Sequence, residues 1–120
     1  MTSTIDHHAL RVISSEQRPG KPDLLARVIH VFKTESPKAI AAMQVGLDSS
    51  DLAAVRNAAH TLKSSSAYVG AKVFSELCEK LESAACENNY TACVDMACQL
   101  EDLLEACCLE LDVYMSTMAA

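Results

Sequence analysis

Chain breakers are scarce here: three glycines and three prolines punctuate 120 residues. Between them apolar side chains recur at the spacing of a helix face. Leu24, Val28, Val31 and Phe32 make one such stripe, and Val55, Ala59, Leu62 and Val69 a second. Phe74, Leu77, Cys78, Leu81 and Ala85 make a third, and Cys93, Met96, Leu100, Leu104, Cys107, Leu111 and Tyr114 a fourth. Alternating β-branched runs bounded by turn residues are missing, and good helix formers dominate the long stretches. The pattern predicts an all-α chain.

The breakers place the boundaries. A short first helix is expected over residues 5–15, with Ile5, Leu10 and Ile13 inward. Arg18-Pro19-Gly20-Lys21-Pro22 reads as a loop, and Pro22 suits the first turn of the next helix. That helix runs from Asp23 to about Leu47, and Ser36-Pro37 either kinks it or starts a new one. Gly46–Ser50 reads as a turn, with Ser50 as N-cap of a helix that Gly70 ends. Ala71 opens the next helix, Asn88-Asn89 breaks it, and a last one spans about Thr91–Met115. Four long segments joined by short turns form an antiparallel up-down four-helix bundle with a short extra N-terminal helix. At 1.5 Å per residue each segment spans roughly 25–35 Å, so the lengths match. We expect a single domain over 1–120: N-terminal helix and loop in 1–20, bundle in about 22–115.

The net charge of −6 and pI near 5.1, with no Lys/Arg cluster, argue against nucleic acid as partner. No apolar run approaches the ~20 residues that cross a bilayer. The N-terminus lacks the pattern of a signal peptide, so a cytoplasmic protein is expected. Cys78, Cys86, Cys93, Cys98, Cys107 and Cys108 include no Cys-x-x-Cys pair and have no histidine among them, so zinc spacing is not met. Cys78, Cys93 and Cys107 fall on apolar faces as small buried hydrophobes; Cys86 and Cys98 point away from those faces. No histidine follows a glutamate by three residues, which argues against a di-metal bundle. His7 and His8 read as surface residues rather than metal ligands, and His30 as solvated. No metal site is expected.

The most informative stretch is Ala59-His60-Thr61-Leu62-Lys63-Ser64-Ser65-Ser66-Ala67-Tyr68-Val69-Gly70-Ala71. At roughly 100° per residue, Val55, Ala59, Ser66 and Val69 cluster around Leu62, while His60 falls about 160° away. Arg56, Lys63, Ser64 and Ala67 surround it on the outer face. An imidazole held outward, with a cation at +3 and a small side chain at +4, suits chemistry on a phosphoryl group. The plain alternative is a solvated surface histidine beside a solvated lysine. A convex helical flank has no pocket of its own for a small substrate.

Ala59-His60-Thr61-Leu62-Lys63-Ser64-Ser65-Ser66, with Val69-Gly70-Ala71, Leu77-Cys78 and Leu81-Glu82 at fixed distances, resembles the histidine-containing phosphotransfer (HPt) domain. The likeness runs from about Leu24 to Leu111, and Leu25, Phe32 and Pro37 also fall where such domains carry a leucine, an aromatic and a proline. It implies a phosphorelay intermediate that takes a phosphoryl group from a receiver-domain aspartate onto His60 and passes it to another. It also implies that Lys63 steadies phosphate charge and Ser64, where the family often has glycine, leaves access open. Arg56, Ala67 and Tyr68, with Ala53 and residues of the preceding helix, would meet the partner, and Gly70 is structural. Partners would be response-regulator receivers and a hybrid sensor kinase. The receiver would supply Mg²⁺, this chain binding no cofactor and acting as a monomer. No Walker-type loop or kinase motif is present, so no ATP-dependent kinase activity of its own is expected. The competing reading is a non-catalytic adaptor or decoy for receiver or kinase domains.

Overall fold

The computed structural model describes residues 4–21 and 23–119. They form five α-helices: α1 (His7–Ser15), α2 (Leu24–Asp48), α3 (Leu52–Tyr68), α4 (Lys72–Cys86) and α5 (Tyr90–Ala119). Local chemistry sets the starts. Asp6, Asp23 and Asp51 each accept a bond from a first-turn amide, those of His8, Ala26 and Ala54, and the Asn89 side chain accepts from Ala92 N. Such caps satisfy amides that have no partner within the helix. Left-handed residues follow the ends of α3 and α4. Gly70 has φ +81° and Asn88 φ +58°, conformations that glycine and asparagine tolerate best.

α2 to α5 pack in a ring, each touching its chain neighbours, with α5 closing against α2. This is the expected antiparallel four-helix bundle with a short N-terminal helix added. Phe32 of α2 and Phe74 of α4 meet edge to face, centroids 6.1 Å apart, in a core that also buries Met43, Leu62, Leu81 and Leu100.

Several local expectations are corrected. α3 is capped by Asp51, and Ser50 takes a left-handed φ of +56°. Three cap-forming residues stand in a row, Ser49-Ser50-Asp51, and the last is used. Gly46, Leu47 and Asp48 belong to α2 rather than to the turn, which is left to Ser49 and Ser50. α2 also runs through Pro37 without interruption: the lost amide bond is outweighed by the buried Phe32, Ser36 and Ile40 on either side. The fit of Pro22 to a first helical turn falls outside the described residues. Segment lengths do not match. α4 has 15 residues and α5 has 30, or about 22 and 45 Å. The surplus of α5 carries the N-terminal segment: Thr4 N donates to Glu110 at 2.8 Å, and His7 lies edge-on to Tyr114 with centroids 5.0 Å apart.

Gly70 makes the α3–α4 hairpin possible and ties it to that segment. Its carbonyl accepts a bond from Asp6 N at 2.7 Å. A Cβ here would lie 2.5 Å from Asp6 O and 3.0 Å from Ala9 Cβ. Glycine is required both for the φ and for the contact.

Candidate functional site

α3 buries Val55, Ala59, Leu62 and Ser66, the face assigned to the core from periodicity. Ser66 faces inward without cost because its hydroxyl donates to Leu62 O at 2.5 Å. Ser75 of α4 donates to Lys63 O at 3.0 Å, which locks the two helices in register. The opposite face of α3 is therefore fixed relative to α4, and His60 stands on it near mid-helix.

The imidazole is 65% exposed, so a separate molecule can reach it. Its inner edge is held. His60 Nδ1 lies 2.7 Å from Glu82 Oε2, and the other carboxylate oxygen accepts from Lys63 Nζ at 2.9 Å. Glu82 thus bridges the histidine and the lysine. Its bond from Lys63, aided by that from His60, holds its carboxyl below the usual carboxylate range. The same pairing with Glu82 raises the Lys63 ammonium. An ionised carboxylate only accepts hydrogen bonds, so Nδ1 must carry the proton. In the neutral ring the lone pair then resides on Nε2, the nitrogen that Glu82 does not engage. The arrangement yields an accessible, tautomerically fixed nucleophile with an ammonium close by.

Glu82 had appeared in the sequence only as part of the Leu81-Glu82 pair. α4 also carries Glu76 and Glu79, and nothing in composition ranks the three. The signal lay in the hairpin count: His60 is ten residues before Gly70 and Glu82 eleven after Ala71, so an antiparallel pair folded at that turn sets them side by side.

On the other flank of α3 an open apolar groove of about 620 Å³ runs against α2. Leu24, Val28, Val31 and Phe32 of α2 face Ser64, Ser65 and Tyr68 of α3 across it. The convex flank is thus less featureless than expected. Tyr68 is half exposed and lines the groove. Arg56 and Ala67 are exposed on the His60 ridge, one turn before and two turns after it, outside the groove. Gly70 sits buried at the bundle end, away from the imidazole.

Other chemistry-bearing residues lie elsewhere. Cys78, Cys93 and Cys107 are buried, while Cys86 and Cys98 are exposed, as their wheel positions indicate. Burial pushes the Cys78 thiol up to about 12 and that of Cys107 to about 11, so both are inert at neutral pH. His8 and His30 are exposed. Among the described residues no three His, Cys, Asp or Glu side chains are grouped to hold a metal, and no helix is long and apolar enough to cross a membrane.

The Hpt domain family model matches residues 27–110. The chain also resembles the crystal structure of histidine-containing phosphotransfer protein B from Pseudomonas aeruginosa PAO1, with a TM-score of 0.88 at 18% identity over 98% of each chain. No curated protein matches the sequence significantly.

Proposed function

The chain belongs to the Hpt domain family and works in histidine phosphotransfer within a phosphorelay, and we propose that His60 is the residue that carries the phosphoryl group. The observation that supports this is the Nδ1–Glu82 bond of 2.7 Å on a side chain that is 65% exposed. In the reading advanced here, Nε2 attacks the phosphorus of an aspartyl phosphate on a receiver domain. The N–P bond forms as the O–P bond breaks, and the aspartate leaves as its carboxylate. Spending the Nε2 lone pair makes the ring positive, and that charge falls on Nδ1–H, facing Glu82. A carboxylate already in place stabilises the charge without reorganisation. Because the proton stays on Nδ1, the imidazole remains a competent leaving group, so the group can move on to a second aspartate.

Lys63 meets the transferring oxygens, since phosphoryl transfer depends chiefly on positioning and charge neutralisation. Mg²⁺ comes with the receiver: Glu82, the carboxylate beside the site, is already held by two donors. Receiver and kinase domains of a phosphorelay are the partners, and the α2–α3 groove beside His60 is the face we assign to receiver docking, with Tyr68 at its edge. Arg56 and Ala67 extend that contact along the ridge. The chain acts as a monomer, since every group used here comes from one copy, and the family role suits a cytoplasmic location.

The test is incubation with a phosphorylated receiver. The protein should acquire a label that is labile to acid and stable to base. His60→Gln should abolish it while the helical circular dichroism stays unchanged. Label persisting in that variant overturns the assignment. A receiver that binds normally but never transfers phosphate would favour the adaptor reading instead.

A further inference from the structure

α3 presents four serine and threonine hydroxyls close to the histidine, and three of them are occupied. Thr61 Oγ1 donates to Asn57 O at 3.2 Å. Ser65 Oγ donates to Thr61 O and Leu62 O, each at 3.3 Å. Ser66 Oγ donates to Leu62 O and Lys63 O. Helical serines and threonines ordinarily bond back in this way. Ser64 does not: among the described residues its hydroxyl has no partner, and the side chain is exposed on the groove lip.

Its position makes this consequential. Residues four apart on a helix have Cβ atoms about 5–6 Å from each other, and a helical side chain leans back over the turn before it. Ser64 is therefore the next side chain along the His60 ridge, its hydroxyl tilted back toward the histidine. The ring's own donors lie on its other edge, where Nδ1 faces Glu82 and the Lys63 ammonium is held by the same carboxylate. A group on Nε2 projects away from that edge. Of the serine and threonine hydroxyls that α3 offers, the one without a partner among the described residues is that of Ser64, one turn from the imidazole, whereas the Tyr68 phenol stands two turns away.

Resting on the assignment of His60 as acceptor, we infer that Ser64 Oγ donates a hydrogen bond to a phosphoryl oxygen on His60 Nε2 and prolongs the life of the phosphorylated state. The bond draws charge from the non-bridging oxygens, the charge that otherwise helps to expel the imidazole in a loose transition state. Ser64 is thus a residue that sets how long the chain holds its cargo, in addition to leaving room for a partner.

Phosphoramidate, a small-molecule donor, loads the protein without any receiver. The decay of the N–P species and its ³¹P resonance are then followed at neutral pH in the native chain, Ser64→Ala and Ser64→Gly. Loss of one hydrogen bond to a charged acceptor in an open site should speed hydrolysis about fivefold and shift the resonance. Alanine and glycine alter helix stability in opposite senses, so equal effects in both variants isolate the hydroxyl. Unchanged decay and resonance in both overturn the inference and leave the His60 assignment standing, as do effects that differ and follow helix stability. Label that survives His60→Gln, or a native chain that takes no label, overturns both.

Discussion

Replacing Glu82 has two opposite consequences, and their sum tests the mechanism. Glu82→Ala removes the acceptor that holds the proton on His60 Nδ1, and it also releases Lys63 from a 2.9 Å bond. The first loss lowers transfer: the proton divides between the two nitrogens, and the charge that develops on the ring has nothing opposite it. Hydrogen bonds to charged groups are worth ~1.5–3 kcal/mol. The ring is 65% exposed, so the lower end applies, and ~1.4 kcal/mol corresponds to about a tenfold loss in rate. The second effect should raise transfer only slightly, because Lys63 sits on a flexible stem and can already swing from Glu82 to an arriving phosphate. The net expectation is about tenfold slower phosphorylation for Glu82→Ala, and about threefold for Glu82→Gln, whose neutral acceptor keeps roughly half of the bond. Rapid-quench transfer from a phosphorylated receiver gives the rates. Nitrogen-15 spectra of the imidazole give the tautomer, expected as Nδ1–H in the native chain and mixed in Glu82→Ala. A Glu82→Ala rate equal to or above the native one, or an Nε2–H native ring, refutes the reasoning.

Gly70→Ala should destabilise the fold by at least ~2 kcal/mol, combining left-handed strain with a Cβ placed 2.5 Å from Asp6 O. Thermal unfolding should shift down by roughly 8 °C, and an unchanged midpoint would show that α1 does not hold this contact. Val31→Asp places a charge in the α2–α3 groove at a side chain already 52% exposed. It should leave thermal stability and phosphoramidate labelling near native while slowing transfer from a receiver about tenfold or more, a loss of ~1.4 kcal/mol in docking; equal receiver rates would place docking elsewhere. Glu82, held below its usual 4.5, contributes stability present above that value and lost as pH falls through its lower folded one. Carbon-13 titration of its carboxyl should give a midpoint under 4.5, and a midpoint above it would mean that the bridge to Lys63 and His60 is absent in solution.

The outward position of His60 was legible because it depends on one helix alone. Val55, Ala59, Leu62 and Val69 fix the inner face of α3, and the angle to His60 follows whatever surrounds it. The inward Ser66 and the buried Cys78 and Cys107 follow from the same local arithmetic. What required coordinates involved two elements at once. The choice of Glu82 over Glu76 and Glu79 depends on how α4 is registered against α3 across Gly70. The groove depends on how far α2 stands from α3. The use of Asp51 rather than Ser50 as cap depends on where α2 ends, which in turn depends on Gly46 staying helical against Ala54 and Val55. Pro37 misleads for a related reason: a local penalty was overruled by burial along the rest of a 25-residue helix.

The ridge that carries His60 has unlike neighbours, and the difference matters. Toward α4 it meets Glu82 and Lys63, which set the proton and charge of the ring. Toward α2 it meets an apolar groove that touches neither of those groups. If receivers dock in that groove, as proposed, partner choice and chemistry occupy opposite flanks of one helix. Substitutions along Leu24, Val28 and Val31 can alter which surface docks without moving the Nδ1–Glu82 bond, because Ser75 and Glu82 hold α3 to α4 independently. Ser64 stands between the two flanks, on the lip of the groove and one turn above the imidazole. It is the position where a docked surface and the bound phosphate would compete for the same hydroxyl, so a partner that engages Ser64 would weaken the hold on the group at the moment of transfer.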